Sequence, residues 1–92
     1  MKIKVKVTKT DIKRGIRESP TSCPVARAID RAAGRPCALV GHTEINIVCS
    51  DAFGRQRIEI PNSVKKWIHR FDLDKVCLPF NFMLEVPDAF RR

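Results

Sequence analysis

The chain has 92 residues, 43% of them hydrophobic and 30% charged, and a formal net charge of +8. That length makes one domain near the lower limit of what folds unaided, read here as residues 1–92 with an ordered core over 1–86 and a tail over 87–92. No apolar run approaches the roughly 20 residues of a membrane span, and the opening MKIKVKVTK lacks the continuous apolar stretch of a signal peptide, so the expected setting is cytoplasmic with no membrane partner.

Residues 2–8 put Ile3, Val5 and Val7 on one side and Lys2, Lys4 and Lys6 on the other. That is the pattern of a half-buried strand with a lysine ladder on its outer face. Thr10 is expected to cap a short helical turn over 11–14, ended by Gly15. A loop containing Pro20 leads into the first full helix, 23–33. Ser22 is its expected N-cap, Pro24 suits its first turn, and Gly34 stands where a left-handed C-terminal cap falls. Val25, Ala28, Ile29 and Ala32 recur at helical spacing, so one face is buried.

Residues 37–40 and 44–49 read as strands, with Gly41 and His42 as a turn or bulge between them. A hairpin loop over 50–55 leads to a return strand over 57–60, with Ile58 and Ile60 inward. Asn62 or Ser63 is expected to cap the second main helix. Val64, Trp67, Ile68 and Phe71 form its apolar stripe, and Lys65, Lys66, His69 and Arg70 lie opposite. After a loop over 72–79, the strand 80–86 puts Phe80, Phe82, Leu84 and Val86 on one face. The predicted order is β–(short α)–α–β–β–β–α–β. This is an α+β fold in which two main helices pack on one face of a mostly antiparallel sheet of four or five strands. The expected core joins Trp67, Ile68, Phe71, Phe80, Phe82 and Leu84 to Ile3, Val5, Ile45 and Ile58.

Charge is distributed unevenly. The first 17 residues hold Lys2, Lys4, Lys6, Lys9, Lys13, Arg14 and Arg17 against Asp11 alone. Such clustering fits a polyanionic partner, because each neutralised phosphate releases counterions. Lys65, Lys66 and Arg70 would assist if their helix faces the same way. Phe53, in the hairpin loop, can stack a base, anchor in a partner's pocket or fold back over the sheet edge. Helix-turn-helix spacing and an RNP-like aromatic pair are both missing, so the reading is backbone binding to DNA or RNA without base specificity.

Cys23, Cys37, Cys49 and Cys77 form no CxxC pair, and His42 and His69 make no HxxxH spacing. Neither a metal site nor a cofactor is therefore expected. Cys23 stands at the positive end of a helix dipole with Arg27 one turn on, where a thiolate is favoured. A thiol-dependent enzyme is thus a minor alternative, set against a small apolar residue packing at the helix entry. No phosphate loop, catalytic triad order or paired-carboxylate motif is present, and the main expectation is a protein without enzymatic activity.

Three blocks carry a resemblance: Cys23-Pro24-x-Ala26-x-Ala28-Ile29, then Ile60-Pro61-x-x-Val64-x-x-Trp67-Ile68-x-x-Phe71-Asp72, and the closing Pro79-Phe80-x-Phe82-x-Leu84. With the opening strand they resemble small uncharacterised proteins encoded by bacteriophages and prophages, over residues 2–84. The motifs are caps, helix stripes and a strand, and no catalytic residue comes with them. The resemblance implies an accessory protein of a mobile element, at work in a bacterial host's cytoplasm. It implies binding to a host protein or nucleoprotein complex and inhibition or modulation of a host defence machine, anti-CRISPR activity being the most specific form. Direct, sequence-nonspecific binding of nucleic acid through the N-terminal basic face is the alternative.

Overall fold

Strict alternation in the first strand sets the layout: Ile3, Val5 and Val7 are buried while Lys2, Lys4 and Lys6 are exposed. The computed structural model describes residues 2–34, 37–41, 44–50, 54–73 and 75–86, with side chains omitted at 48–50 and 54–56. Its elements run β1 (Lys2–Val7), α1 (Lys9–Arg14), α2 (Pro24–Ala33), β2 (Ala38–Val40), β3 (Glu44–Ser50), β4 (Gly54–Glu59), α3 (Asn62–Asp72) and β5 (Phe80–Glu85). All pairings are antiparallel, and the class is α+β. The expected tail, Phe53 and His42 lie outside the described residues.

Among the described residues the strands form two hydrogen-bonded sheets, not the single sheet expected: β1 with β5, and β2–β3–β4. A hollow lined by Lys2, Ile58, Glu59, Pro61, Met83 and Glu85 draws on residues of both sheets. Pro61 also removes a backbone donor at the point where the chain leaves β4. In the paired ribbon, Ile3 faces Leu84 and Val5 faces Phe82, while Lys4 and Lys6 face Met83 and Asn81. The second sheet sets Ile45 opposite Ile58, with an irregularity between Val48 and Ser50. Its last strand starts at Gly54, three residues before the expected 57–60.

One core nevertheless serves both sheets. Helix α2 touches β1 and β2, and its Val25, Ala26, Ala28 and Ile29 are buried. Its alanines let the helix backbone approach both sheets closely. From α3, Val64 and Ile68 enter the same cluster. Trp67, Phe80, Phe82 and Ile58 pack against it only half-buried, and Phe71 is likewise half-buried. That corrects the expectation of a central Trp67. The indole N–H donates to the Leu78 carbonyl at 2.9 Å, and satisfying this polar tip holds the ring at the margin of the core.

The caps also differ from expectation in physically readable ways. Because Pro24 occupies the first position of α2, the cap is Cys23, whose Sγ accepts the Ala26 N–H at 3.4 Å. Ser22 instead donates its N–H to Ser19 Oγ in the preceding turn. Helix α1 begins two residues earlier than Thr10 predicts: Thr8 is its cap, in a reciprocal box with Asp11. Helix α3 has no side-chain cap, and the Pro61 carbonyl takes the N–H groups of Val64 and Lys65. Gly34 does close α2 in the left-handed region, at φ 79°. Gly15 ends α1 against Pro24 so closely that a Cβ there would meet the proline ring at 2.5 Å.

Asp11 is fully buried. Its Oδ2 accepts the Thr8 N–H at 2.9 Å, and Arg31 donates to both carboxylate oxygens at 2.8 and 2.7 Å. Arg27 Nε stands 3.5 Å from the same carboxylate. Arg31 also donates to the Lys6 carbonyl at 2.6 Å, so β1, α1 and α2 meet at one group. Burial pushes the Asp11 carboxyl up, but the Arg31 and Thr8 hydrogen bonds outweigh it and hold the group below its ordinary value. A carboxyl lowered on folding adds stability above its unfolded value of about 3.9, lost as pH falls through the folded value. Asp11→Asn should therefore cost about 3 kcal/mol at neutral pH. That is the low side of the range for a broken buried pair, because the half-exposed Arg31 can turn to water. Urea denaturation of both proteins across the acid range checks this: the gap should close below about pH 4.

Candidate nucleic-acid interface

The lysine ladder is the most regular feature of the surface. On a strand, alternate side chains stand about 6.5–7 Å apart on one face. Lys2, Lys4 and Lys6 occupy three such positions, all exposed, while their alternates are buried. The ladder is not uniform along its length. At one end Lys2 shares a hollow with Glu59 and Glu85, two acids. At the other, Lys6 and Lys9 line a hollow together with Phe80 and Asn81. The cationic character is therefore concentrated toward the end where β1 runs into α1.

Lys9, Lys13 and Arg14 are all exposed on α1. Lys13 and Arg14 sit in its last turn, where they also complement the negative end of the helix. Arg17 belongs elsewhere. It lines a groove of about 880 Å³ with Ile16, Phe71, Val76 and Lys75, between the α1–α2 loop and the segment after α3. The loop is anchored there by the Glu18 N–H, which donates to Asp72 Oδ1 at 3.0 Å. Arg70 acts on this groove as well, since its charge lowers the thiol of Cys77, a lining residue, although burial wins and leaves that thiol raised. Lys66 and Arg70 are exposed and Lys65 is half-buried. Some of the expected basic residues thus gather in two places, Lys4 and Lys6 on the ribbon with Lys9 at the start of α1, and Arg17 with Arg70 at the groove.

Three features escaped the sequence. Lys75 joins Arg17 in the groove, from a loop without periodicity. Arg27 and Arg31 turn inward to Asp11. The Thr8-x-x-Asp11 spacing was the available signal, because a hydroxyl three residues before an acid marks a capping box. Finally, Trp67, Phe71, Phe80 and Phe82 form a continuous aromatic row. The centroid distances are 5.7 Å for Trp67–Phe71, 4.9 Å for Trp67–Phe80 and 5.6 Å for Phe80–Phe82.

Cys23 sits in a different electrostatic setting from the one expected at the helix start. Cys23 is buried, and burial pushes its thiol up; hydrogen bonds from the Ala26 and Val25 N–H groups pull it down by less, and the charge of Asp72 adds to the rise. That direction is opposite to the lowered value expected at the helix start. His69 is exposed. Among the described residues no group of three or more His, Cys, Asp or Glu is placed to hold a metal ion, and no helix is long and apolar enough to cross a membrane. No family model, curated protein or solved structure matches the chain.

The cysteine environments predict a labelling order. Iodoacetamide applied to the folded protein at mildly alkaline pH should modify half-buried Cys77 before Cys23 and Cys37, which stay protected until denaturant is added. Peptide mass mapping reads the order, and prompt labelling of native Cys23 would contradict its assigned burial.

Proposed function

We propose that this chain is a non-enzymatic binding protein that grips a nucleic-acid backbone through the lysine face of β1, with Lys9 at the start of α1 beside it. One observation carries the reading: three lysines project from a single strand face whose opposite side is wholly committed to the core. A rigid strand presents its cations with little ordering left to do on binding, which favours a repeating anionic partner. Lys13 and Arg14, exposed on the helix that follows, extend the same N-terminal charge.

The resemblance to phage and prophage accessory proteins supplies the setting. In it the nucleic acid is carried by a host machine, and the chain inhibits that machine by occupying it, anti-CRISPR activity being the most specific form. A net charge of +8 favours docking on an acidic or nucleic-acid-bearing surface over mimicry of DNA.

Salt dependence tests the contact directly. Affinity for duplex DNA should fall with a log–log slope of roughly −0.9 per phosphate contacted. Changing Lys2, Lys4 and Lys6 together to Gln should flatten that slope by about 2–3 and weaken binding to all sequences alike. Binding indifferent to salt, or unaltered in the triple variant, removes this face from the account. A pull-down from bacterial lysate distinguishes the setting: a protein partner retained after nuclease treatment moves the principal contact from nucleic acid to protein.

A further inference from the structure

We infer that the groove between the α1–α2 loop and the segment after α3 docks an acidic segment of a partner protein, with large apolar side chains set among its Asp and Glu residues. None of the described residues lining the groove belongs to β1, so the contact is additional to the lysine face. Apolar exposure gathers here. Large hydrophobic side chains stand open to water at Ile16, Leu73, Val76, Leu78 and Met83, and all but Met83 belong to the two stretches that wall the groove. Ile16 is 59% exposed and Val76 83%, and both line it beside half-buried Ile12 and Phe71. Apolar surface gathered in this way and rimmed by charge is the kind that a docking partner buries.

The walls are held before any partner arrives. The Ile16 N–H donates to the Ser22 carbonyl at 2.8 Å, and the Lys75 N–H to the Arg70 carbonyl at 3.0 Å. Between them the Glu18 N–H reaches Asp72 Oδ1 across the groove. Glu18 itself stands at φ 58°, a left-handed conformation uncommon for a residue with a side chain. A partner therefore meets a surface with little backbone ordering left to do. Charge selects the occupant. Lys13 and Arg14 lie in the last turn of α1, Arg17 and Lys75 line the groove, and the charge of Arg70 reaches its Cys77. Against these cations the lining residues set Glu18 and Asp72, and Asp72 already accepts the Glu18 N–H. An acidic segment gains attraction at this rim while covering Ile16 and Val76. A second copy docked by two-fold symmetry would set the same cations against one another. A nucleic-acid backbone would leave the aliphatic side chains uncovered.

A displayed library of random short peptides, selected against the whole protein, is the probe. The enriched peptides should combine Asp or Glu with Leu, Ile, Phe or Trp, and the tightest, made with a fluorescent label, supplies an anisotropy readout. The double change Ile16→Ser with Val76→Ser alters no charge and touches only exposed side chains. It should weaken this peptide by about tenfold or more, as loss of central contacts does. Lys75→Glu should weaken it most at low salt, the mark of a rim charge. Changing Lys2, Lys4 and Lys6 to Gln should leave it bound, and the double Ser variant should keep its affinity for oligo-dT. Failure of wild-type protein to bind oligo-dT contradicts the nucleic-acid reading and leaves the groove result standing. No enrichment, enrichment of neutral or basic peptides, displacement of the peptide by oligo-dT, or undiminished binding by the double Ser variant overturns the groove inference. A dimer in sedimentation velocity that the double Ser variant disperses also overturns it, because the occupant is then a second copy.

Discussion

The rest of the structure depends on one buried carboxylate. Asp11 is the only acid among the first 17 residues, and the seven cations around it would otherwise repel one another. With no exposed surface, its charge is tolerable only because Arg31 meets both oxygens and the Thr8 N–H takes a further site. Each bond ties down a different element. The Thr8 contact starts α1, a helix of six residues that would not stand alone in water. The Arg31 contact fixes α2 against it, and the bond from Arg31 to the Lys6 carbonyl fixes the end of β1. The hydrogen bond to Asp11 in turn pushes the Arg31 guanidinium further up from its ordinary value. A second carboxylate does similar work further on: Asp30 accepts the Cys37 and Ala38 N–H groups and seats the start of β2.

This arrangement sorts the positive charge. Arg27 and Arg31 are drawn toward Asp11, while the lysines of β1 have no place in a core that alternation has already filled with Ile3, Val5 and Val7. They face water on a ribbon whose strands pair, among the described residues, only with each other. A lysine row also discourages other strands from adding to such an edge. Keeping the ribbon unpaired and presenting a cationic face are thus achieved by the same residues.

The local features were legible in the sequence. Alternation marked β1, the apolar spacing marked α2 and α3, and Gly34 marked the left-handed end of α2. Each depends on residues within one turn or one strand of one another. The division of the sheet was not legible, because it depends on how strands far apart in the sequence are placed relative to one another. Trp67 sat in an apolar stripe that also contained Val64 and Ile68. Only the tertiary arrangement decides which members of such a stripe lie at its centre, and the indole's bond to Leu78 draws Trp67 to the margin. The hollow at Phe80 gathers Lys6 and Lys9 from the far end of the chain, and the Arg31–Asp11 pair joins residues 20 apart. No spacing rule connects either set. For Cys23 the local rule pointed the wrong way: the helix start favours a thiolate, but burial against the core outweighs it.

The central claim is that the face of β1 carrying Lys2, Lys4 and Lys6 is the face that binds. Amide chemical-shift mapping of the labelled protein during titration with oligo-dT tests it most directly. The account predicts that the amides of β1, the first turn of α1 and the start of β5 shift together, while the buried face of α2 keeps its positions. Shifts centred on the groove around Ile16, Phe71 and Val76, with the β1 amides unmoved, would contradict it.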